Sequence, residues 1–313
     1  MPGSSTGRGG VPAPGAGKQR GMSMRIGFLG LGLMGEGFTR RLVELGHDVT
    51  GFDPKPARRR AAADWGVTAA DSPAAAAEGA GLVMTCVTTT DDLEIAVFGP
   101  GGVAGSIGRD AVLVDFSTTV VARTRAMAAR LAEATGAGWV DAPVSGGPPA
   151  ARAGGLAVMA GGADAHMDKA RPVLEGLAGS LVHLGPVGSG QVTKMVNQVC
   201  VLTNFVVLAE ALNLAERGGV DTAKLVEALG PGYAGSNLMR AMWPRMLARD
   251  YAPAGYLRQV LKDLDMVHDL AHDVKAAIPM STQAAELFRL MAARGHEDLD
   301  GIAVLKLFTG EPV

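Results

Sequence analysis

A glycine-rich hexapeptide, Gly30-Leu31-Gly32-Leu33-Met34-Gly35, constrains the fold of this chain more than any other segment. The apolar run RIGFL (Arg25–Leu29) precedes it, and a helix-compatible segment (Gly35–Leu45) follows it. In a G-x-G-x-x-G turn the first glycine permits the tight bend, the second lets a phosphate approach the backbone, and the third lets the helix pack closely on the strand. The pattern predicts a strand–turn–helix unit that binds the pyrophosphate of a dinucleotide at the helix N-terminus, the alternative being a glycine-rich turn without a ligand.

An acidic residue follows this turn at the distance expected for a dinucleotide site. Asp53 ends the second apolar run, His47–Asp53, where a carboxylate can accept a hydrogen bond from the adenosine ribose. Asp53 repels a 2′-phosphate and favours NAD, whereas Lys55 and Arg58–Arg60 either bind such a phosphate or form a solvated helix face. We predict NAD as the cofactor and leave NADP open.

Apolar runs alternate with Ala-rich helical segments from Arg25 to about Gly185. The predicted buried strands are Arg25–Leu29, His47–Asp53, Leu82–Val87, Ala111–Phe116 and Leu181–Gly185. Helix-compatible segments such as Gly35–Leu45 and Val120–Thr135 lie between them. This alternation predicts a Rossmann-type, doubly wound α/β sheet with parallel strands, helices on both faces and ligands at the carboxyl ends of the strands.

A long interdomain helix is predicted over Gln191–Arg217, which is apolar around most of its circumference. Polar residues such as Lys194 and Glu210 interrupt this segment too often for a membrane span. Four further segments are predicted to be helical, with no strand among them: Asp221–Leu229, Ser236–Leu247, Gly255–Ala276 and Ser281–Arg294. We expect an all-α C-terminal domain over residues 188–313, after a dinucleotide-binding domain over 24–187 and a disordered extension over 1–23.

Composition excludes several other classes of protein. With 29 Lys and Arg against 31 Asp and Glu, the net charge of −2 offers no basic excess for a nucleic-acid partner. Cys86 and Cys200 lie in apolar runs, the histidines lack metal-ligand spacing, and the N-terminus lacks an apolar signal segment. We expect a cytoplasmic protein without a metal site or membrane partner. The apolar circumference of Gln191–Arg217 predicts a homodimer or homotetramer.

Three further segments, taken with the glycine-rich turn, resemble the β-hydroxyacid dehydrogenase family, which includes 3-hydroxyisobutyrate dehydrogenase. They are DAPVSGG (Asp141–Gly147) followed by GGLAVMAGG, GSGQVTKMVNQ (Gly188–Gln198), and KDLD (Lys262–Asp265). The similarity extends from about Arg25 to Phe308, and near Lys194 and AGSN (Ala234–Asn237) it is closest to the tartronate semialdehyde reductase branch. The resemblance implies an NAD(P)-dependent oxidoreductase that transfers a hydride between nicotinamide and a small β-hydroxyacid or semialdehyde.

Lys194 is the candidate for proton transfer. Its position near the start of the long helix and its apolar neighbours predict a lowered pKa, which suits an amine that exchanges a proton with a hydroxyl oxygen. The resemblance implies that Lys194 is the general acid/base. Asn197 lies on the same helix face and is expected to assist it. A solvated lysine on a helix rim and a purely structural Asn197 are the alternatives.

Small residues after a strand predict a turn that binds a substrate carboxylate. Ser145, Gly146 and Gly147 offer successive backbone N–H groups and a hydroxyl, and the resemblance implies this role, a simple tight turn being the alternative. The resemblance adds Ser117 and Ser236 as substrate-binding residues, with Tyr233 and Asn237 beside Ser236. It adds Val87, Thr88, Thr118 and Lys262 as cofactor-binding residues. A surface ion pair between Lys262 and Asp265 is the alternative for this lysine.

The chain departs from the family at three places near the expected cleft. Gly37 replaces a proline, Val87-Thr88 replaces Leu-Pro, and Gly155 stands where threonine is common. The first two changes bear on cofactor preference and cleft shape more than on the reaction, and the change at Gly155 has no physical explanation from the sequence. Two other functions remain open: a nucleotide-sensing protein without catalysis, which needs neither Lys194 nor Asn197, and an imine reductase, whose relatives commonly lack the lysine.

Overall fold

A computed structural model describes residues 23–311, which form an α/β half followed by a helical half. The strands are β1 Arg25–Leu29, β2 Asp48–Phe52, β3 Thr68–Ala69, β4 Leu82–Thr85, β5 Val112–Asp115, β6 Gly138–Asp141, β7 Val144–Ser145, β8 Leu156–Gly162 and β9 Ala178–His183. The helices of this half are α1 Leu33–Glu44, α2 Pro56–Ala63, α3 Pro73–Ala77, α4 Thr90–Phe98, α5 Val121–Thr135, α6 Gly147–Ala153 and α7 Asp164–Leu177. Those of the helical half are α8 Ser189–Arg217, α9 Leu225–Leu229, α10 Asn237–Leu247, α11 Leu257–Val274, α12 Pro279–Ala293 and α13 Lys306–Thr309. The expected disordered extension lies, apart from Ser23, outside the described residues.

The sheet has the Rossmann arrangement predicted from the sequence. Its strand order is β3-β2-β1-β4-β5-β6-β8-β7, with β9 paired to β8. The six strands from β3 to β6 in this order are parallel, whereas β8 runs antiparallel to β6 and β7. β6 and β8 were not among the predicted strands. Because β8 is antiparallel to its neighbours β6 and β7, the parallel sheet has a mixed edge that the sequence did not predict.

The central strands are apolar because both faces of the sheet are covered by helices. Every residue of β4 and β5 is buried. One face packs Phe28, Phe38 and Phe116 together, with the rings of Phe38 and Phe116 stacked at 4.4 Å. The other face packs Leu113 and Trp139 with their neighbours.

The prediction of a buried strand over Leu181–Gly185 is wrong in its bounds and in its burial. β9 spans Ala178–His183, and Val182 is 49% exposed. The physical reason is its position, because β9 pairs only with β8 at the edge of the sheet and half of its side chains face water.

The long helix α8 is the centre of the helical half. It packs against β8, α10, α11 and α12, and Leu202, Ala209 and Leu212 lie in the apolar core of this half. By length and hydropathy alone, α8 would also pass as a membrane span. The packed strand and helices around it instead make it the core helix expected from the sequence.

Gly37 has a packing role that explains its departure from the family pattern. A Cβ at this position would lie 2.9 Å from the Cβ of Ala151 and 3.1 Å from the carbonyl oxygen of Pro148. Only a residue without a side chain lets α1 approach α6 this closely. The helix after the glycine-rich turn is therefore packed directly on the helix that follows the Ser145–Gly147 turn. Nothing in the structure explains Gly155.

Candidate active site

The glycine-rich turn has the backbone geometry that a pyrophosphate requires. Gly30 has φ +93°, and a Cβ there would lie 2.2 Å from the carbonyl oxygen of Cys86. A Cβ at Gly35 would lie 1.8 Å from the carbonyl oxygen of Gly30. Gly32 is the N-cap of α1 and no side chain caps the helix there. The turn thus leaves an uncapped helix N-terminus at Gly32, Leu33 and Met34, which fits the phosphates of a dinucleotide, whereas the N–H of Leu31 is donated to Asp53.

Asp53 is buried beneath this turn and is linked to it. Its carboxylate accepts hydrogen bonds from the backbone N–H of Leu31 at 3.0 Å and of Lys55 at 2.9 Å, and it pairs with Arg58 at 3.2 Å. Arg59 donates to the backbone carbonyl of Asp53 at 2.7 Å. Arg58 and Arg59 therefore contact Asp53, but the Arg58 side chain is still 44% exposed and Arg60 is exposed, so the face stays open to solvent. The contact of Asp53 with a ribose stays a prediction.

Lys194 is buried where α8 meets the sheet. The residue is 8% exposed, and its Nζ donates to the carbonyl oxygen of Val144 at 2.9 Å. Burial lowers the pKa of the amine, a change that the charge of Asp263 opposes and that of Lys262 reinforces. Lys194 is therefore not a solvated lysine on a helix rim, and the lowered pKa expected from the sequence is found.

The Ser145–Gly147 turn directly follows Val144, whose carbonyl oxygen accepts the hydrogen bond from the Lys194 amine. Gly146 has φ +132° and Gly147 has φ +71°, conformations that favour glycine. A Cβ at Gly146 would also lie 2.7 Å from the Cβ of Ala150. The turn thus brings a serine and two glycine backbones next to a buried amine, an arrangement suited to a small carboxylate.

Lys262 joins the helical half to the loops that follow β4 and β5. Its Nζ donates to the carbonyl oxygens of Thr88 at 3.0 Å and Thr118 at 3.2 Å, and it pairs with Asp263 at 3.1 Å. Asp265 instead pairs with Arg289, so the proposed surface pair between Lys262 and Asp265 is wrong. The two loops that carry the expected cofactor residues are thus held together by a lysine of the helical half.

Ser117 lies inside the protein at the end of β5. The residue is 2% exposed, and its Oγ accepts the N–H of Val87 at 2.9 Å. This contact fixes the spacing of the loops after β4 and β5, and it uses the hydroxyl that was expected to face a substrate.

The sequence missed a buried polar chain beside Lys194. Asn197 Nδ2 donates to Gln198 Oε1 at 2.8 Å, and Gln198 Nε2 donates to the carboxylate of Asp263. The hydrogen bond of Asn197 is thus to its own helix, and its assistance of Lys194 stays a prediction. A polar pair on an otherwise apolar helix was the available signal for Gln198, and the KDLD segment contains Asp263.

The structure does not join Ser236 to this cluster. Its Oγ is the N-cap of α10 and accepts the N–H of Met239 at 2.9 Å, while Tyr233 and Asn237 beside it are exposed. None of the hydrogen bonds among residues 23–311 links Ser236 to Lys194 or to the Ser145–Gly147 turn. Its role in substrate binding stays a prediction.

Comparison with known proteins covers both halves of the chain. Residues 25–185 match the family model described as the NAD binding domain of 6-phosphogluconate dehydrogenase. Residues 188–308 match the model described as NAD-binding of NADP-dependent 3-hydroxyisobutyrate dehydrogenase. Together the two matches contain the glycine-rich turn, the Ser145–Gly147 turn, Lys194 and Lys262.

Named relatives are similar over nearly their whole length. The chain is 34% identical to 3-hydroxyisobutyrate dehydrogenase of Pseudomonas aeruginosa, with 91% of this chain and 99% of the relative covered. It is 32% identical to L-threonate dehydrogenase of Cupriavidus necator, with 92% and 97% covered.

Solved structures give the same assignment. The Mycobacterium tuberculosis 3-hydroxyisobutyrate dehydrogenase solved with L-serine superposes with TM-score 0.81 at 32% identity, covering 91% of this chain and 99% of that one. An imine reductase from Pseudomonas sp. superposes with TM-score 0.61 at 20% identity over 91% and 99%, which shows a shared fold alone. The chain belongs to the β-hydroxyacid dehydrogenase family of NAD(P)-dependent oxidoreductases.

Proposed function

We propose that this enzyme interconverts a small β-hydroxyacid and the corresponding semialdehyde, with Lys194 as the general acid/base. The observation that carries the proposal is the buried Lys194 amine, 2.9 Å from the carbonyl oxygen of Val144 and adjacent to the Ser145–Gly147 turn. A carboxylate on that turn and a hydroxyl at the amine define a substrate in which the two groups are a few bonds apart.

Each direction of the reaction uses one protonation state of Lys194. When bound, the nicotinamide ring accepts or donates the hydride. During oxidation the neutral amine accepts the hydroxyl proton, and during reduction the ammonium donates a proton to the carbonyl oxygen. Burial favours the neutral form of Lys194 and so lowers the free energy needed to reach it.

The remaining residues bind and orient. We assign Gly30, Gly32 and Gly35 to the pyrophosphate, Asp53 to the adenosine ribose, and the loops at Val87–Thr88 and Thr118 to the nicotinamide end, held by Lys262. Asn197 is assigned to the substrate side of Lys194. Ser117 positions the loop after β4 through the N–H of Val87.

The substrate class follows from the relatives and the turn. The Mycobacterium tuberculosis relative was solved with L-serine, which has a carboxylate and a β-hydroxyl group. The same two groups match a carboxylate-binding turn that directly follows Val144, the residue whose carbonyl oxygen contacts the Lys194 amine. Within this class we favour tartronate semialdehyde, the substrate of the branch that the sequence resembles.

We further propose a soluble, cytoplasmic homodimer or homotetramer. Val196, Val207 and Leu214 of α8 are 59%, 44% and 73% exposed in the single chain, which supports burial of this face by a second copy. Sedimentation of the enzyme as a monomer at micromolar concentration would contradict this.

A substitution of Lys194 tests the catalytic proposal. Lys194→Ala is expected to lower kcat by at least 100-fold, on the order of the contribution of a general acid/base, because the proton then has no positioned donor or acceptor. NADH and NADPH binding, measured by fluorescence titration, should stay within about twofold of wild type. Activity is measured at the reduced-nicotinamide absorbance with hydroxyacids, semialdehydes and a cyclic imine. Retention of more than a few per cent of the activity contradicts the assignment, and nucleotide binding without turnover across the panel supports the sensor alternative.

A further inference from the structure

The last residue of β6 holds the first turn of α8. Asp141 is fully buried, and one carboxylate oxygen accepts the N–H of Gly188 at 2.7 Å while the other accepts the N–H of Gln191 at 2.9 Å. Gly188 is the N-cap of α8 and has no side chain to cap the helix itself. A carboxylate from the neighbouring sheet thus satisfies two of the backbone donors that a helix N-terminus leaves without intrahelical partners.

The side chain of Gln191 fixes the same turn to the end of β5. Its Nε2 donates to the carbonyl oxygen of Ser117 at 2.8 Å, and its Oε1 accepts the N–H of Thr119 at 3.1 Å. Gln191 is also fully buried. The first turn of α8 therefore has polar contacts with two adjacent strand ends.

Two short chain segments are consequently joined at both of their ends. Asp141 contacts Gln191, and three residues later in each segment Val144 contacts Lys194. Residues 141–144 and 191–194 form a closed ring in which the Lys194 amine lies opposite the start of the Ser145–Gly147 turn. A displacement at Asp141 is transmitted to Lys194 through less than one turn of helix.

We propose that Asp141 is a positioning residue that fixes the Lys194 amine relative to the Ser145–Gly147 turn. This inference rests on the proposed role of Lys194. A carboxylate is required because two N–H donors need two acceptors, whereas an asparagine has one acceptor and would direct its NH2 group at the other donor. The expected defect is in the chemical step, since Asp141 lies beneath the substrate turn and not in the glycine-rich turn.

Two backbone N–H groups favour the ionised form of Asp141, against burial and the charge of the neighbouring Asp115. Asp115 is its register partner on β5 and is held by Thr85, Ser117 and Thr119. Burial raises the pKa of Asp141 to about 6, and the charge of Asp115 adds to this, while the N–H groups of Gly188 and Gln191 oppose it. At pH 8 the carboxylate form prevails.

The test is a double-mutant cycle between Asp141→Asn and Lys194→Ala, with Asp71→Asn as the matched surface control. Asp141→Asn is expected to lower kcat by about 10- to 100-fold, the order of loss for a misplacement of up to 1 Å. The dissociation constant of NADH should stay within twofold. In the Lys194→Ala background the same substitution should change the residual rate by less than twofold, because its effect acts through the missing amine.

The outcomes separate this inference from the proposed function. If Lys194→Ala abolishes turnover but Asp141→Asn keeps the wild-type kcat, only the positioning role is overturned. Equal losses from Asp141→Asn in both backgrounds also overturn it, since a general structural defect has that signature. High activity in Lys194→Ala instead refutes the catalytic proposal. If Asp141→Asn does not fold, Gly190→Ala displaces the same turn with the carboxylate retained, and an unchanged kcat in that variant overturns the positioning role.

Discussion

Gly190→Ala measures how closely the amine must be held. A Cβ at this position would lie 2.5 Å from the carbonyl oxygens of both Asp141 and Met159, and contacts below 3.0 Å are essentially not tolerated. The first turn of α8 must therefore move by at least about 0.5 Å, the difference between these two distances. Such a shift lengthens the 2.9 Å contact between Lys194 Nζ and the Val144 carbonyl to the limit of a hydrogen bond.

Gly190→Ala is expected to lower both kcat and the free energy of unfolding, whereas helix propensity alone would raise the free energy of unfolding. If a 1 Å misplacement lowers the rate about 100-fold, half of that displacement lowers kcat about 10-fold. Overpacking lowers the free energy of unfolding by about 1–3 kcal/mol, although helix propensity alone would favour alanine by up to about 1 kcal/mol. We expect Tm to fall by about 1–2 °C for each kcal/mol, because about 2.1 cal/mol/K of unfolding entropy per residue over 313 residues gives about 0.7 kcal/mol/K.

The assay compares Gly190→Ala with Gly105→Ala, whose added Cβ meets no atom within 4 Å. Steady-state kcat, the dissociation constant of NADH and Tm are measured for both variants and the wild type. The control is expected to match wild type in all three. A Gly190→Ala enzyme with wild-type kcat and an equal or higher Tm would refute the reasoning, since helix propensity would then outweigh the contact.

Two further predictions follow from the site. In the pH profile of kcat/KM, the limb that reports Lys194 should rise with pH for oxidation and fall with pH for reduction, around one shared pKa. Asp263→Asn should move both limbs to lower pH, because the Asp263 carboxylate raises the pKa of Lys194. Limbs that stay in place in that variant would show that another group titrates. Gly35→Ala, whose Cβ would lie 1.8 Å from the Gly30 carbonyl oxygen, should weaken NADH binding at least tenfold, about 1.4 kcal/mol. Unchanged binding in a titration would remove the glycine-rich turn from the cofactor site.

The parts of the fold visible in the sequence were those with strong local signals. β1, β2 and α1 surround a turn whose glycine spacing is typical of one strand–turn–helix unit. α8 is long and apolar enough for its sequence alone to predict a helix. The prediction for β9 was wrong because an apolar run predicts a buried strand. Its exposure results from its position at the edge of the sheet, and the strand order that places it there cannot be read from the local sequence.

The candidate site could be proposed from the sequence where the motifs of the family contain its residues. Lys194 and the Ser145–Gly147 turn were proposed through that resemblance, because a single lysine or a pair of glycines does not by itself distinguish a site from a solvated rim or a tight turn. Asp141 and Gln191 were missed because their function lies in contacts across 50 and more than 70 positions of the chain. Ser117 shows the opposite error. A hydroxyl at the end of a strand was predicted to bind substrate, but in the structure it accepts the backbone N–H of Val87.

The close packing at Gly37 has a consequence for how this enzyme can diversify. Because only the Ala151 methyl group lies between α6 and the backbone of α1 at Gly37, we expect the glycine-rich turn and the Ser145–Gly147 turn, the proposed carboxylate clamp, to move together. A longer or bulkier acid cannot be accommodated by sliding the clamp outward without also shifting the nucleotide. Changes in preferred substrate among close variants are therefore expected in the helical half instead of in the α1–α6 contact.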